Sequence, residues 1–361
     1  MRFNTFVTYL NPCMTEAAKT YYQSHSKLGF IGPNGQQKLN DTKVLVIGAG
    51  GLGCPCLLYL AGCGAGTIGI ADFDTISLTN LHRQIIYNYE DVGQTKVGVA
   101  KTRLLQHNPF IRVNVHRQLV DESNVLELIE QYDIIVDGTD NFAVRYLIND
   151  ACVYLDKPLV YGAIYQTEGH VTVFNYQVSA TLRCLFAEPD AETHVPSCAE
   201  VGAYNMITNM IGVMMAGEAV KLILQNPDVL ANKLVTYDAV SVTMQTIGYK
   251  ANPLSRQISI DRFKQKPIRV EISPEEFLTL QPGSYHLIDV REEWERDEHH
   301  IGGDHIPLNE LSAHDFSNLL KNQQLIFYCA VGARSMAAVA LMRKMGFSNV
   351  VSLRGGLNGL E

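Results

Sequence analysis

The chain alternates short, unbroken apolar runs with amphipathic stretches, and this rhythm admits few folds. Residues 43–48 read KVLVIG, apolar after the first position and closed by glycine. A run that short, with no polar face, fits a parallel strand covered on both sides. Residues 53–63 read as a helix and 67–72 (TIGIAD) as the next strand. The rhythm continues with a helix near 94–107, strand 112–116, helix 122–131, strand 133–137, helix 142–155 and strand 158–162. Strands and helices in this alternation predict a doubly wound α/β sheet. Residues 169–175 (GHVTVFN) alternate apolar with polar instead, which predicts added antiparallel strands. A helix over 206–224 and a strand over 233–238 close the domain near residue 248.

The reading divides the chain into an N-terminal extension (1–19), a large domain (20–249), a linker (250–270) and a small α/β domain (271–361). The linker is inferred from prolines, basic residues and few core positions. With 361 residues, of which 47% are hydrophobic and 18% charged, two packed domains are affordable and disorder is excluded. A net charge of −8 without any Lys/Arg cluster argues against nucleic-acid binding. The greasiest stretch, 206–224, is interrupted by Asn209, Glu218 and Lys221, so it reads as a buried helix and no membrane association is expected. The N-terminal residues lack a basic start followed by an apolar run, and eight scattered cysteines suit a reducing compartment; the expectation is a cytoplasmic protein.

Gly48-Ala49-Gly50-Gly51-Leu52-Gly53 lies between a strand and a helix, where Gly48, Gly50, Gly51 and Gly53 let backbone amides approach a phosphate. Asp72 ends the next strand, placed to bind ribose hydroxyls. These features make the sheet Rossmann-like, and alone they fit an NAD-dependent oxidoreductase. Asn80, Arg83, Lys96, Asp140 and Asn141 then follow successive strand ends, so they gather at the carboxyl edge of one sheet. Two cations and a carboxylate suit ATP with Mg²⁺ better than a nicotinamide. Singly, Arg83 and Lys96 could be surface cations and Asp140 a helix N-cap.

The ordered series GxGGLG, DxDxxxxxNLxRQ, GQxK and TDN resembles the MoeB/ThiF adenylyltransferases, relatives of ubiquitin-activating enzymes. The lead-in Ile31–Leu39 resembles the family as well. The resemblance implies ATP-dependent adenylation of the C-terminal glycine of a ubiquitin-like sulfur carrier protein ending in Gly-Gly. It assigns Gly51 and Asp72 to the nucleotide, Asn80, Arg83 and Lys96 to phosphates, and Asp140 to Mg²⁺, and it implies a homodimer. Cys198 aligns with a cysteine that in some relatives bonds to the carrier. Two departures stand out. The family's four-cysteine zinc site is represented by Thr181, Cys184, Asn252 and Ser255, so no zinc is expected. Ser24 stands where an arginine usually reaches the partner subunit's site.

In the small domain, Ile288-Asp289-Val290-Arg291, His300–Leu308 and the loop Cys329-Ala330-Val331-Gly332-Ala333-Arg334 resemble a rhodanese. Backbone amides and the following helix would favour a Cys329 thiolate or persulfide. Arg334 would close the loop or bind an anionic donor. Gly355-Gly356 matches the terminal segment of that family, without its usual tryptophan. Together the domains imply adenylation of a carrier, then sulfur transfer from Cys329 to give a thiocarboxylate, for molybdopterin or thiamine biosynthesis or a related pathway. A cysteine desulfurase would supply the sulfur. The alternatives are an NAD-dependent oxidoreductase and a non-catalytic nucleotide-binding regulatory module.

Overall fold

A computed structural model describes residues 14–186, 202–264, 270–281, 283–314, 316, 324–347 and 349–360. The chain splits into two compact units, Met1–Lys264 and Gln265–Glu361.

In the first unit the strands are β1 (Lys43–Ile47), β2 (Thr67–Ala71), β3 (Arg112–His116), β4 (Ile134–Asp137), β5 (Leu159–Tyr165), β6 (Glu168–Phe174), β7 (Lys233–Asp238) and β8 (Thr243–Gly248). They form one sheet in the order β3-β2-β1-β4-β5-β6-β7-β8. The pairs from β3 to β5 are parallel and those from β5 to β8 antiparallel. The apolar run of β1 follows from its place in the middle: Val44 and Val46 enter one core and Leu45 and Ile47 the other. The chain runs outward from β1 through β2 to β3 and then crosses back to β4 on the other side of β1. The crevice at this reversal is where open α/β sheets bind ligands.

The helix Asn205–Leu224 is long and apolar enough to cross a membrane, yet it packs against β5, β6 and the helix Gly53–Cys63 and buries Ile207, Ile211 and Met215 completely. Strand β8 adds one strand after the last expected, 233–238, and ends at the expected closure near residue 248. All six of its residues are exposed, so no apolar alternation announces it in the sequence.

The expected linker needs correction. Residues Pro253–Lys264 form a helix of the first unit, packed on the helix Phe142–Tyr154. Its inward residues are Ser255, Ser259 and Phe263, spaced four apart, and two of these three are serines that an apolar pattern does not register. Ser259 bonds Asp150, which is fully buried at the centre of a polar cluster. Asp150 accepts from Arg183 (Nε 2.8 Å, Nη2 2.7 Å), Arg262 Nη1 (3.1 Å), Ser259 Oγ (2.6 Å) and Asn149 Nδ2 (3.0 Å). Burial alone would raise its pKa, but these bonds to Arg183, Ser259 and Arg262 bring it below the usual carboxylate range. Asp150→Asn keeps the shape but takes the buried carboxylate from Arg183 and Arg262, the latter still paired with Glu122 at 2.8 Å, and should cost about 3–5 kcal/mol of stability. Because the folded pKa is depressed, the native advantage is complete well above the unfolded value near 4 and fades as pH falls through the folded one. Thermal melts of both proteins should therefore converge in acid; equal melting temperatures at pH 7 would remove the cluster's role.

In the second unit the strands are β9 (Glu271–Ile272), β10 (Tyr285–Asp289), β11 (Asp304–His305), β12 (Gln324–Tyr328) and β13 (Val350–Leu353), all parallel in the order β11-β10-β12-β13-β9. The central β12 again serves two cores, with Leu325 and Phe327 on one face and Ile326 and Tyr328 on the other. Strands β9 and β11 are two residues each, too short for a pattern in the sequence.

Candidate active sites in the two units

The glycine turn of the first unit is shaped by close approaches. Gly48 follows β1 in the left-handed region, with φ of 92°, and a side chain there would meet the Gly138 carbonyl at 2.8 Å. A side chain on Gly53 would lie 1.9 Å from the Gly48 carbonyl, so only glycine lets the helix Gly53–Cys63 start this close to the strand. Gly51 faces Thr208, whose Cγ2 would be 2.5 Å from an added Cβ, and the Arg83 side chain 3.7 Å away. Gly50 has more room, with Gln84 Nε2 at 3.7 Å from such an atom. The amides at the start of a helix have no acceptor within it, which makes this turn an anion cradle.

Asp72 braces the cradle. Its Oδ2 accepts from Ala49 N (2.8 Å) and its Oδ1 from Asp74 N (2.8 Å). Each oxygen keeps a second lone pair for a hydroxyl. Lys96 is buried at the start of the helix Lys96–His107 and its ammonium lies 2.7 Å from Asp74 Oδ2. The sequence reading missed that partner, although Asp74 sits in the quoted motif. Arg83 is half-buried and donates to the Thr79 carbonyl at 3.0 Å. Asn80 accepts from Ser77 N at 3.3 Å.

The end of β4 settles which residue caps the next helix. Asn141 is the N-cap of Phe142–Tyr154, its Oδ1 accepting from Val144 N at 3.2 Å, while Asp140 is exposed. Two buried residues not anticipated from sequence hold this turn. Asp137 Oδ1 accepts from Thr139 N (2.9 Å) and Oγ1 (2.7 Å), and Arg145 donates to the Thr139 carbonyl and to Tyr161 Oη (2.7 Å). Burial raises the Asp137 pKa, against the pull of Arg145 and Thr139. Tyr87, also unanticipated, donates from its buried hydroxyl to the Ala49 carbonyl at 2.8 Å. Asp137 ends the apolar run of β4 and Tyr87 follows Ile85-Ile86, so nothing local marked them. Cys198 lies outside the described residues; Ser24 is on the short helix Gln23–Ser26.

The four positions of the family's zinc site do meet in space. Cys184 Sγ accepts from Asn252 N (3.2 Å) and Thr181 N (3.3 Å), and Ser255 Oγ donates to the Arg183 carbonyl (3.3 Å). Burial would raise the Cys184 pKa, but hydrogen bonds from Thr181, Asn252 and Ser255 lower it. These residues do not fit zinc, since Cys184 is the one zinc-ligating side chain of the four. Hydrogen bonds and the adjacent Asp150 cluster join the segments that a metal would join.

In the second unit Cys329 follows β12 at the floor of a loop, 1% exposed. Gly332, with φ of 97°, turns the chain into the helix Ala333–Lys344 and donates its N–H to Cys329 Sγ at 3.1 Å. Ser335 Oγ lies 3.5 Å from the sulfur. Burial would raise the thiol pKa; hydrogen bonds from Ser335, Gly332 and Val331 outweigh it and lower the value. The helix start adds a favourable field. Behind the loop, Leu357 N donates to the Cys329 carbonyl (2.9 Å), and a side chain on Gly356 would strike that oxygen at 2.1 Å. Arg334 does not stand free: it pairs with Glu295 through two bonds of 2.6 Å.

Comparison with known proteins agrees with this division. The ThiF family model matches residues 22–256 and the rhodanese-like domain model matches 273–361. The chain is 39% identical over 356 residues to the probable adenylyltransferase/sulfurtransferase MoeZ of Mycobacterium tuberculosis, covering 93% of this chain and 91% of that protein. It is 42% identical over 237 residues to the sulfur carrier protein adenylyltransferase of Thermus thermophilus, covering 64% of this chain and 88% of that one. Among solved structures, E. coli MccB with ATP shares the fold, with a TM-score of 0.57 and 23% identity over 65% of this chain and 72% of that one.

Proposed function

The chain belongs to the ThiF family, and from that premise we propose that it adenylates the C-terminal glycine of a small ubiquitin-like carrier and then transfers sulfur to it from Cys329. It is an adenylyltransferase with a sulfurtransferase domain. The observation that carries the reading is the pairing, in one chain, of an anion cradle at a sheet switch point with a buried, hydrogen-bonded thiol at a helix start.

ATP binds with its phosphates at Gly50–Gly53 and its ribose at Asp72. Asn80, Arg83 and Lys96 face the phosphates, with Lys96 shared between them and Asp74. The carrier carboxylate is ionised at neutral pH and needs no general base. Its attack on the α-phosphorus brings anions together, so the protein's task is positioning and charge neutralisation. Asp140 offers Mg²⁺ an exposed, hard carboxylate oxygen beside the Asn141 cap; when bound, the ion neutralises phosphate charge. Pyrophosphate leaves, and a carrier acyl-adenylate remains.

The outer sulfur of a Cys329 persulfide then attacks the acyl carbon and AMP departs. Release of the thiocarboxylate requires a thiol that attacks Cys329 Sγ and takes it into a disulfide. Cys198 aligns with a cysteine that in some relatives bonds to the carrier. A homodimer and a cysteine desulfurase as sulfur source complete the proposal. The test is exchange of labelled pyrophosphate into ATP: it should depend on a carrier ending in Gly-Gly. Exchange that ignores the carrier, or none with any such protein, would overturn the adenylation step.

A further inference from the structure

Glu295 reaches from the helix Glu293–Glu298 to the Cys329 loop and binds the one guanidinium in it. Both carboxylate oxygens accept from Arg334 at 2.6 Å, which uses the fork that a guanidinium would otherwise offer to a sulfur oxyanion such as thiosulfate. The two side chains are 14% and 35% exposed, so the pair is partly shielded from water. Arg291, the other guanidinium bonded to this helix, is committed in the same way. Both oxygens of buried Asp289 hold it, with the carbonyls of Glu295 and His299. Residues 292–298 (EEWERDE) set five carboxylates against Arg296 alone. This acidic segment disfavours the approach of a small dianion. Two exposed apolar side chains lie near the pair in sequence, Trp294 at 65% and Val331 at 63%.

We infer that Glu295 fixes the donor class of the Cys329 loop: by masking Arg334 it excludes sulfur oxyanions and leaves an organic persulfide as the sulfur donor. This rests on the reading of Cys329 as the sulfur carrier. In the step, the Cys329 thiolate attacks the outer sulfur of R–S–SH, the donor S–S bond breaks and R–S⁻ leaves. The proton stays on the transferred sulfur, and no oxidant or reductant is consumed. Glu295 touches neither sulfur; it is a specificity residue acting through Arg334.

The test compares thiosulfate with hydroxyethyl persulfide as donors to cyanide, using the full chain, Glu295→Gln, Glu295→Asp and Cys329→Ser at two ionic strengths. The native protein should prefer the persulfide by at least about 100-fold in kcat/KM. Glu295→Gln should lower KM for thiosulfate about tenfold, a gain that salt erases because the bared Arg334 is screened. Glu295→Asp, which keeps the charge, should retain the native preference. A native protein that uses thiosulfate as well as the persulfide would overturn the inference without needing any variant. So would parallel loss of both donors in Glu295→Gln, which is the behaviour of a purely structural clamp. Activity surviving in Cys329→Ser would instead overturn the reading of Cys329 itself.

Discussion

Cys329→Ser is expected to abolish sulfur transfer while leaving carrier adenylation within about twofold of the native rate, because a missing nucleophile cannot be replaced by geometry. Serine fits the loop: Gly332 N–H can donate to its hydroxyl as it does to the sulfur, and Ser335 already neighbours the site. At neutral pH a hydroxyl neither ionises nor holds a sulfane sulfur. Adenylation draws on a different compact unit, so pyrophosphate exchange should persist in the variant. Persulfide on the protein, read by mass spectrometry after incubation with a donor, should be absent from the 271–361 region. If the variant still yields thiocarboxylate at the native rate, the sulfur reaches the carrier by another route, and Cys198 becomes the residue to examine.

The complementary loss is expected from Asp140→Ala. Carrier-dependent pyrophosphate exchange should fall by about 10²–10³-fold, the usual cost of removing a group that meets developing phosphate charge. Folding should be untouched. Asp140 is exposed, the helix cap belongs to Asn141, and the preceding Thr139 is gripped by Asp137 and Arg145. An unchanged melting temperature with exchange lost is therefore the expected pair of results. Near-native exchange would remove Asp140 from the metal role.

Much of this was legible in the sequence, and the exceptions have a common physical cause. Strands buried on both faces announce themselves, as KVLVIG does, because every position must be apolar. The glycine turn was legible because Gly48 and Gly53 occupy positions where any side chain collides with backbone. What escaped were polar residues doing buried work. Ser255 and Ser259 line the inner face of a helix expected as a linker, because their partners, the Arg183 carbonyl and Asp150, lie 72 and 109 residues away in the chain. Asp74 for Lys96, Arg145 for Thr139 and Glu295 for Arg334 are likewise pairings between segments, and pattern along the chain does not carry them. Arg334 shows the consequence. Its position in the loop allowed a free anion binder or a clasp, and the structure makes it a clasp.

The central claim is that adenylation and sulfur transfer act on the same carrier in succession, with Cys329 as the immediate donor. The most direct measurement is a single turnover with the persulfide on Cys329 labelled by an isotope of sulfur, followed by intact-mass analysis of a ubiquitin-like carrier ending in Gly-Gly. The account predicts that label leaves Cys329 and appears as a C-terminal thiocarboxylate when ATP and Mg²⁺ are present, and stays on the protein when ATP is withheld. Label transferred without ATP, or unlabelled thiocarboxylate formed while Cys329 keeps its sulfur, would contradict it.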